Sequence, residues 1–269
     1  MRPEPVRVPI IATVLLLLIS IAVSGCERGR GAADRADVSA AATSIGSGGN
    51  APILLFDGIG TSPNDVAAVA MILNSNHLNY STANSSELNQ MSESQIRGFR
   101  LLIVPGGNFI DMGKSLTANT AASIRGAVHN GLNYLGICAG AFLAGDSAYY
   151  NGLNLTSGVK FGFYSAENQG IRKAAVPITS LGAPTLEQYW EDGPQFTGWG
   201  AVVARYPDGT PAIVQGTLGS GWVILSGVHP EAPESWRRGM PFGTPTRDDN
   251  AYAGMLIRAA LNRSSLAHY

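Results

Sequence analysis

The segment Tyr134-Leu135-Gly136-Ile137-Cys138-Ala139-Gly140-Ala141-Phe142 runs from apolar residues into one nucleophile-capable side chain, with glycine two residues before it and two after. This spacing follows the logic of a nucleophile elbow. A strand ends, the chain turns sharply, a helix begins, and the reactive atom is lifted clear of the backbone. Such a turn has no room for side chains beside it, which accounts for the glycines. The helix N-terminus behind the sulfur favours the thiolate, the reactive form of cysteine. The competing reading is a structural cysteine buried at a strand–helix joint.

A thiol nucleophile needs a base. Of the four histidines, His77 and His129 stand in polar helix-end contexts and His268 at a frayed C-terminus, so each reads as solvated. His229 differs, because it follows the apolar run Trp222 to Ser226 and therefore lies near the carboxyl end of a strand. Glu231 sits two residues on, with Pro230 stiffening the joint. That spacing lets the carboxylate reach one ring nitrogen and set tautomer and orientation. Cys138, His229 and Glu231 thus form a possible Cys–His–Glu set. Pro105-Gly106-Gly107 follows another apolar run. Backbone amides at Gly106 and Gly107, with that of Ala139, can form an oxyanion-binding site. An ordinary turn is the alternative for the glycine pair. No metal-ligating pattern is read, and no cofactor is called for.

These groups must be carried by a scaffold. Ala51 to Phe56, Leu101 to Val104 and Leu132 to Ile137 are continuous apolar runs, as expected of parallel strands buried on both faces. Leu78 to Thr82 makes a further short strand. Thr61-Ser62-Pro63-Asn64-Asp65 looks like a helix start, with Val66, Val69, Ala70 and Leu73 following at helical spacing. Thr117 to Asn130 reads as a second helix. Strand and helix alternating through short glycine-rich joints predicts a mostly parallel α/β sheet with helices on both faces. After about residue 152, the stretches Leu153 to Phe163, Ala175 to Ile178, Ala201 to Arg205, Ala212 to Gln215 and Trp222 to Ser226 read as strands between Gly, Pro and Asp turns. They predict antiparallel strands added at the sheet edge, and Asp249 to Leu261 closes the chain as a helix.

The N-terminus has a different character. Arg2 and Arg7 precede an apolar run from Ile10 to Val23, too short for a comfortable spanning helix. Val23-Ser24-Gly25-Cys26 follows and resembles the lipobox of bacterial lipoproteins. That resemblance implies cleavage after residue 25, lipidation of Cys26 with acyl chains such as palmitate, and a place in the cell envelope, on the extracytoplasmic face of a membrane. An uncleaved signal anchor with a chance cysteine is the alternative. Residues 26–50 are small, polar and glycine-rich, which makes a tether rather than a core. The domain plan is therefore a signal peptide over 1–25, a lipidated cysteine and tether over 26–50, and one domain over 51–265. With only two cysteines in the chain, lipidation of Cys26 leaves Cys138 either paired between chains or free and reactive. The net charge of −1 and the absence of like-charge blocks give no reason to expect a nucleic-acid partner.

Val104-Pro105-Gly106-Gly107, Gly136-Ile137-Cys138-Ala139-Gly140 and His229-Pro230-Glu231 are similar, in order and spacing, to the class I glutamine amidotransferase-like superfamily. Within it, Tyr134 to Phe142 with Val104 to Gly107 most resembles the N-terminal domain family of biotin–protein ligases. The resemblance implies a flavodoxin-like fold over 51–265, with Cys138 as nucleophile, His229 as base, Glu231 as its orienter, and Gly107 with Ala139 as oxyanion donors. Phe142 departs from the pattern: glutaminases carry a glutamine there, four residues after the nucleophile, that helps hold substrate glutamine. The resulting expectation is a lipid-anchored thiol hydrolase acting on an amide or acyl bond of an unidentified small molecule or peptide. A non-catalytic binding or scaffolding module on the same fold stays open, as does an amidotransferase subunit. Glu167-Asn168-Gln169 and the segment 189–194 can line the site or be surface loops.

Overall fold

The computed structural model of the protein describes residues 51–164 and 169–269. The signal peptide, Cys26, the tether, Glu167 and Asn168 lie outside the described residues. The first half alternates as predicted: β1 (Ile53–Phe56), α1 (Pro63–Ser75), β2 (Tyr80–Ala83), α2 (Ser85–Gln90), α3 (Glu93–Ile96), β3 (Leu101–Val104), α4 (Phe109–Ser115), α5 (Ala118–His129), β4 (Asn133–Ile137) and α6 (Ala139–Ala144). The second half is strand-rich: β5 (Gly162–Phe163), β6 (Lys173–Ser180), β7 (Leu186–Glu191), β8 (Pro194–Gln195), β9 (Ala201–Arg205), β10 (Pro211–Leu218) and β11 (Gly221–Ser226). The helices α7 (Glu234–Arg237) and α8 (Thr246–Asn262) follow.

Nine strands form one sheet in the order β2-β1-β3-β4-β11-β10-β9-β6-β7. From β2 to β11 neighbouring strands pair in parallel; from β11 to β7 they pair antiparallel. The apolar runs are continuous because side chains alternate between two covered faces. Ile53 and Leu55 pack with Val69 and Leu73 of α1 and Leu256 and Ile257 of α8. Leu54 and Phe56 pack on the opposite side with Ile124 and Val128 of α5. Each helix closes on a side-chain cap where the sequence places one: Ser62 accepts from the Asp65 amide at the start of α1, and Thr117 from the Thr120 amide at the start of α5.

Three expectations are corrected. Leu153 to Phe163 is not a strand: only Gly162–Phe163 pairs, with β8, and the preceding residues are turns, Asn154 and Ser157 having positive φ. The segment 189–194 is no surface loop, since Tyr189, Trp190 and Glu191 belong to β7 and Trp190 is fully buried. The C-terminus is tied down rather than frayed. The Tyr269 amide donates to the Val202 carbonyl, and Gln215 binds Leu266. His77, His129 and His268 are exposed, as read from their contexts.

Candidate active site

Four parallel strands deliver their carboxyl ends to one place, where open α/β sheets carry their sites. Cys138 follows β4 and His229 lies three residues past β11, and these two strands are adjacent, with Ile137 opposite Ser226. The Cys138 amide donates to the Ser226 carbonyl at 2.8 Å. Pro105 to Gly107 follow β3, and the turn after β1 leads to Ser62 and Asp65.

The elbow has the geometry its glycines imply. Cys138 has φ 49° and ψ −106°, a strained conformation for a residue with a side chain. A Cβ on Gly140 would stand 1.9 Å from the Val104 carbonyl oxygen, and one on Gly136 would stand 2.6 Å from the Gly140 carbonyl oxygen. Both contacts are against backbone, so neither position can yield. The Tyr134 hydroxyl donates to the Gly140 carbonyl at 2.7 Å and pins the turn from below.

His229 is buried, and its Nδ1 faces two carboxylates. Glu231 Oε1 lies at 2.9 Å and Asp65 Oδ1 at 3.2 Å. One N–H cannot be aimed at both. It donates to Glu231, while Asp65 Oδ1, off the N–H axis, accepts no directed hydrogen bond and is held by charge. Nε2 is the ring nitrogen left to Cys138, which interacts with the imidazole through charge and through a side-chain contact. The sulfur's directed hydrogen bond runs elsewhere, to the Glu191 carbonyl at 3.5 Å. The His229 amide in turn donates to the Tyr189 carbonyl at 2.8 Å, so β7 curls back from the far edge of the sheet onto the site.

These contacts separate the titrations of the three groups. Burial opposes charge on His229 most strongly, yet Cys138, Glu231 and Asp65 outweigh it and hold the imidazolium well above the ordinary histidine range. Burial raises the Glu231 carboxyl, and the His229 charge offsets this only in part. Its second oxygen, Oε2, accepts no hydrogen bond among the described residues. Burial acts on Asp65 too, but His229 and the Ser62 hydroxyl prevail and draw its carboxyl below the ordinary range.

Asp65 is the functional residue that sequence reasoning missed. An acid in the first turn of a helix is an ordinary complement to the helix dipole, and nothing local marks it as a partner of a histidine 164 residues away. The one available signal is its place just beyond the first strand's carboxyl end. The same three side chains keep donor atoms within 4.8 Å of one another, a spacing a divalent cation can bridge.

A cavity of about 390 Å³ adjoins the sulfur, lined by Cys138, His229, Gly107, Ala139, Glu191 and Asp192 among others. Gly107 and Ala139 are both suited to donate into it. Ser62 donates to the Gly106 carbonyl and Asn108 to the Gly60 carbonyl. Gly107 is therefore the non-hydrogen-bonded member of its bridge with Thr61, and its own N–H points away from that strand. Ala139 opens α6, where no preceding turn accepts its N–H. Gly106 does not line the cavity. It lies behind, where a Cβ would stand 2.0 Å from Asp65 Oδ1 and 2.8 Å from His229 Cε1, so glycine here lets the acid and the imidazole meet. Glu231 is likewise behind His229, not in the cavity wall.

A solved structure titled as a glutamine amidotransferase superposes with a TM-score of 0.55, at 20% identity, over 77% of this chain and 98% of that one. The fold is glutamine amidotransferase-like. Residues 51–172 of this amidotransferase-like domain also match the family model described as biotin-protein ligase, N terminal. That match includes the elbow and stops before His229. An exo-beta-1,4-mannosidase from an Opitutaceae bacterium aligns at 13% identity over 78% of the chain and 36% of its own, TM-score 0.49. A beta-galactosidase from Halorubrum lacusprofundi aligns at 16% over 78% and 30%, TM-score 0.48. No curated protein sequence matches the chain.

Proposed function

We propose that the domain is a cysteine-nucleophile hydrolase acting on an amide or related acyl bond. The observation that carries this reading is the cavity-lining thiol beside an imidazole whose far nitrogen is held by two buried carboxylates. With its proton held by His229, the Cys138 sulfur attacks the carbonyl carbon, and the Gly107 and Ala139 amides receive the developing oxyanion. His229, charged through its neighbours, gives a proton to the leaving group as the carbon–nitrogen or carbon–oxygen bond breaks. The neutral imidazole then takes a proton from water, which attacks the thioester and releases the acid and the thiolate beside the recharged imidazolium. Glu231 directs the ring, and Asp65 adds a second negative charge beside the imidazolium.

The test is acylation. Incubation with p-nitrophenyl acetate is expected to give a burst of nitrophenolate, with the acetyl group on the Cys138 peptide by mass spectrometry. A folded protein that gives no burst, or that is acetylated only elsewhere, leaves the non-catalytic binding module as the better reading. The low exposure of Cys138, at 6%, is the observation in that module's favour.

The N-terminal segment carries a further part of the proposal: an anchor on Cys26 that holds the domain at the extracytoplasmic face of a membrane. Among the described residues no helix is long and apolar enough to cross a membrane. Mature protein is expected in the detergent phase of a Triton X-114 partition and Cys26→Ser protein in the aqueous phase or as uncleaved precursor. Recovery of mature wild-type protein with Met1 intact would end this part.

A further inference from the structure

The cavity lining has two unlike parts. One is aromatic. Phe142, one helical turn beyond Cys138 in α6, is buried in a stack, 4.4 Å from the ring of Phe109 and 4.9 Å from that of Phe163. Phe163 itself is 39% exposed and Phe109 is half-buried. All three line the cavity that holds the thiol. The rest of the lining is mostly polar and includes Asp192 and Glu191, whose carboxylate accepts from the Tyr189 hydroxyl at 2.5 Å. Among the described residues that line the cavity, His229 is the basic one. Asp192 is paired with Arg172 at 3.4 Å.

We propose that this cavity selects a compound whose acyl group is aromatic or otherwise flat and apolar. This deepens the hydrolase reading and rests on it for the identity of the scissile bond. Phenyl faces left partly open to water gain most from covering by another flat apolar group, and rings at these spacings and tilts accept one edge-on or offset. Free glutamine fits poorly, because its side chain is polar against the aromatic wall.

Equilibrium binding to full-length Cys138→Ala protein tests this without any turnover. The probes are phenylacetamide, acetamide and L-glutamine, followed by NMR titration. Phenylacetamide is expected to bind at least about tenfold more tightly than acetamide, a difference of about 1.4 kcal/mol. L-Glutamine is expected to show no saturable shifts. Phe163→Ala, at an exposed position, should weaken phenylacetamide several-fold and leave acetamide unchanged; Phe142→Gln should narrow the gap between phenylacetamide and L-glutamine. Equal binding of the two simple amides, glutamine binding as tight as phenylacetamide, indifference to Phe163→Ala, or no binding by any probe overturns the proposal. Because the thiol is absent, this outcome is independent of whether wild-type Cys138 is acylated. A pocket with the stated preference on a protein that never acylates retires the hydrolase reading alone.

Discussion

Replacing Cys138 by alanine is expected to lower hydrolysis of a phenylacetyl p-nitrophenyl ester by about a thousandfold or more, to near the uncatalysed rate. Removing the nucleophile from a triad leaves only what binding and oxyanion contacts supply, and the groups of such a set are far from additive. Stability should change little. The lost sulfur gives up one long hydrogen bond, at 3.5 Å to the Glu191 carbonyl, and its contact with the His229 imidazole, and it sits at the edge of the core where one side faces the cavity. Alanine also keeps the same positive φ, so the strain at the elbow neither grows nor relaxes. Glu231→Gln should cost less, because the ring keeps a hydrogen-bonding neighbour and Asp65 keeps a negative charge beside it. Steady-state rates with thermal melts of the same samples check all of this. Full activity in Cys138→Ala would mean that the Asp65–His229–Glu231 cluster activates water directly and that the thiol is a bystander.

His229→Gln is expected to be the most destabilising single change in the site, by about 3–5 kcal/mol near neutral pH, the usual cost of stripping one partner from a buried charge cluster. Its size should depend on pH in a definite direction. In the wild type, His229 titrates above its ordinary value of 6.5. Its stabilisation is thus complete below 6.5 and is lost as pH rises through the raised value. Asp65 titrates below its ordinary 3.8, so its stabilisation is present above that value and is lost as pH falls through the lowered one. In the variant neither acid has a counter-charge. Both then titrate high, and the folded variant is penalised increasingly as pH rises past the ordinary carboxylate range. The difference between the proteins should therefore widen from pH 4.5 to pH 6.5. Urea unfolding at the two pH values measures it. An equal cost at both would show that His229 acts by packing rather than by charge.

What could be read from the sequence was local. The strands ending at Phe56, Val104 and Ile137 are legible because burial on both faces demands unbroken apolar runs, a demand met within four or five residues. The elbow is legible because Gly136 and Gly140 answer to backbone atoms only a few residues away or on the adjoining strand. The His229–Glu231 contact is legible because two residues of spacing suffice to make it. Leu153 to Phe163 misled because an apolar stretch packs equally well as buried turns when no partner strand is offered, and Leu153 and Leu155 are fully buried without pairing.

Asp65, the Glu191–Asp192 wall and the passage of β7 across the site were decided by the tertiary structure. Asp65 obeys the rules of a helix N-terminus in either role, so its type and place say nothing about His229. β7 reaches the site because antiparallel pairing through β10, β9 and β6 carries it to the sheet edge and its curl returns Tyr189 to the His229 amide. No residue in β7 encodes that return by itself. The chain alone determined which atom is the nucleophile and which strand ends must present it, because those follow from backbone sterics and two-sided burial. Which charges surround the base, and what lines the cavity beside the thiol, depend on contacts between residues 53 to 164 positions apart, and only the assembled sheet brings those together.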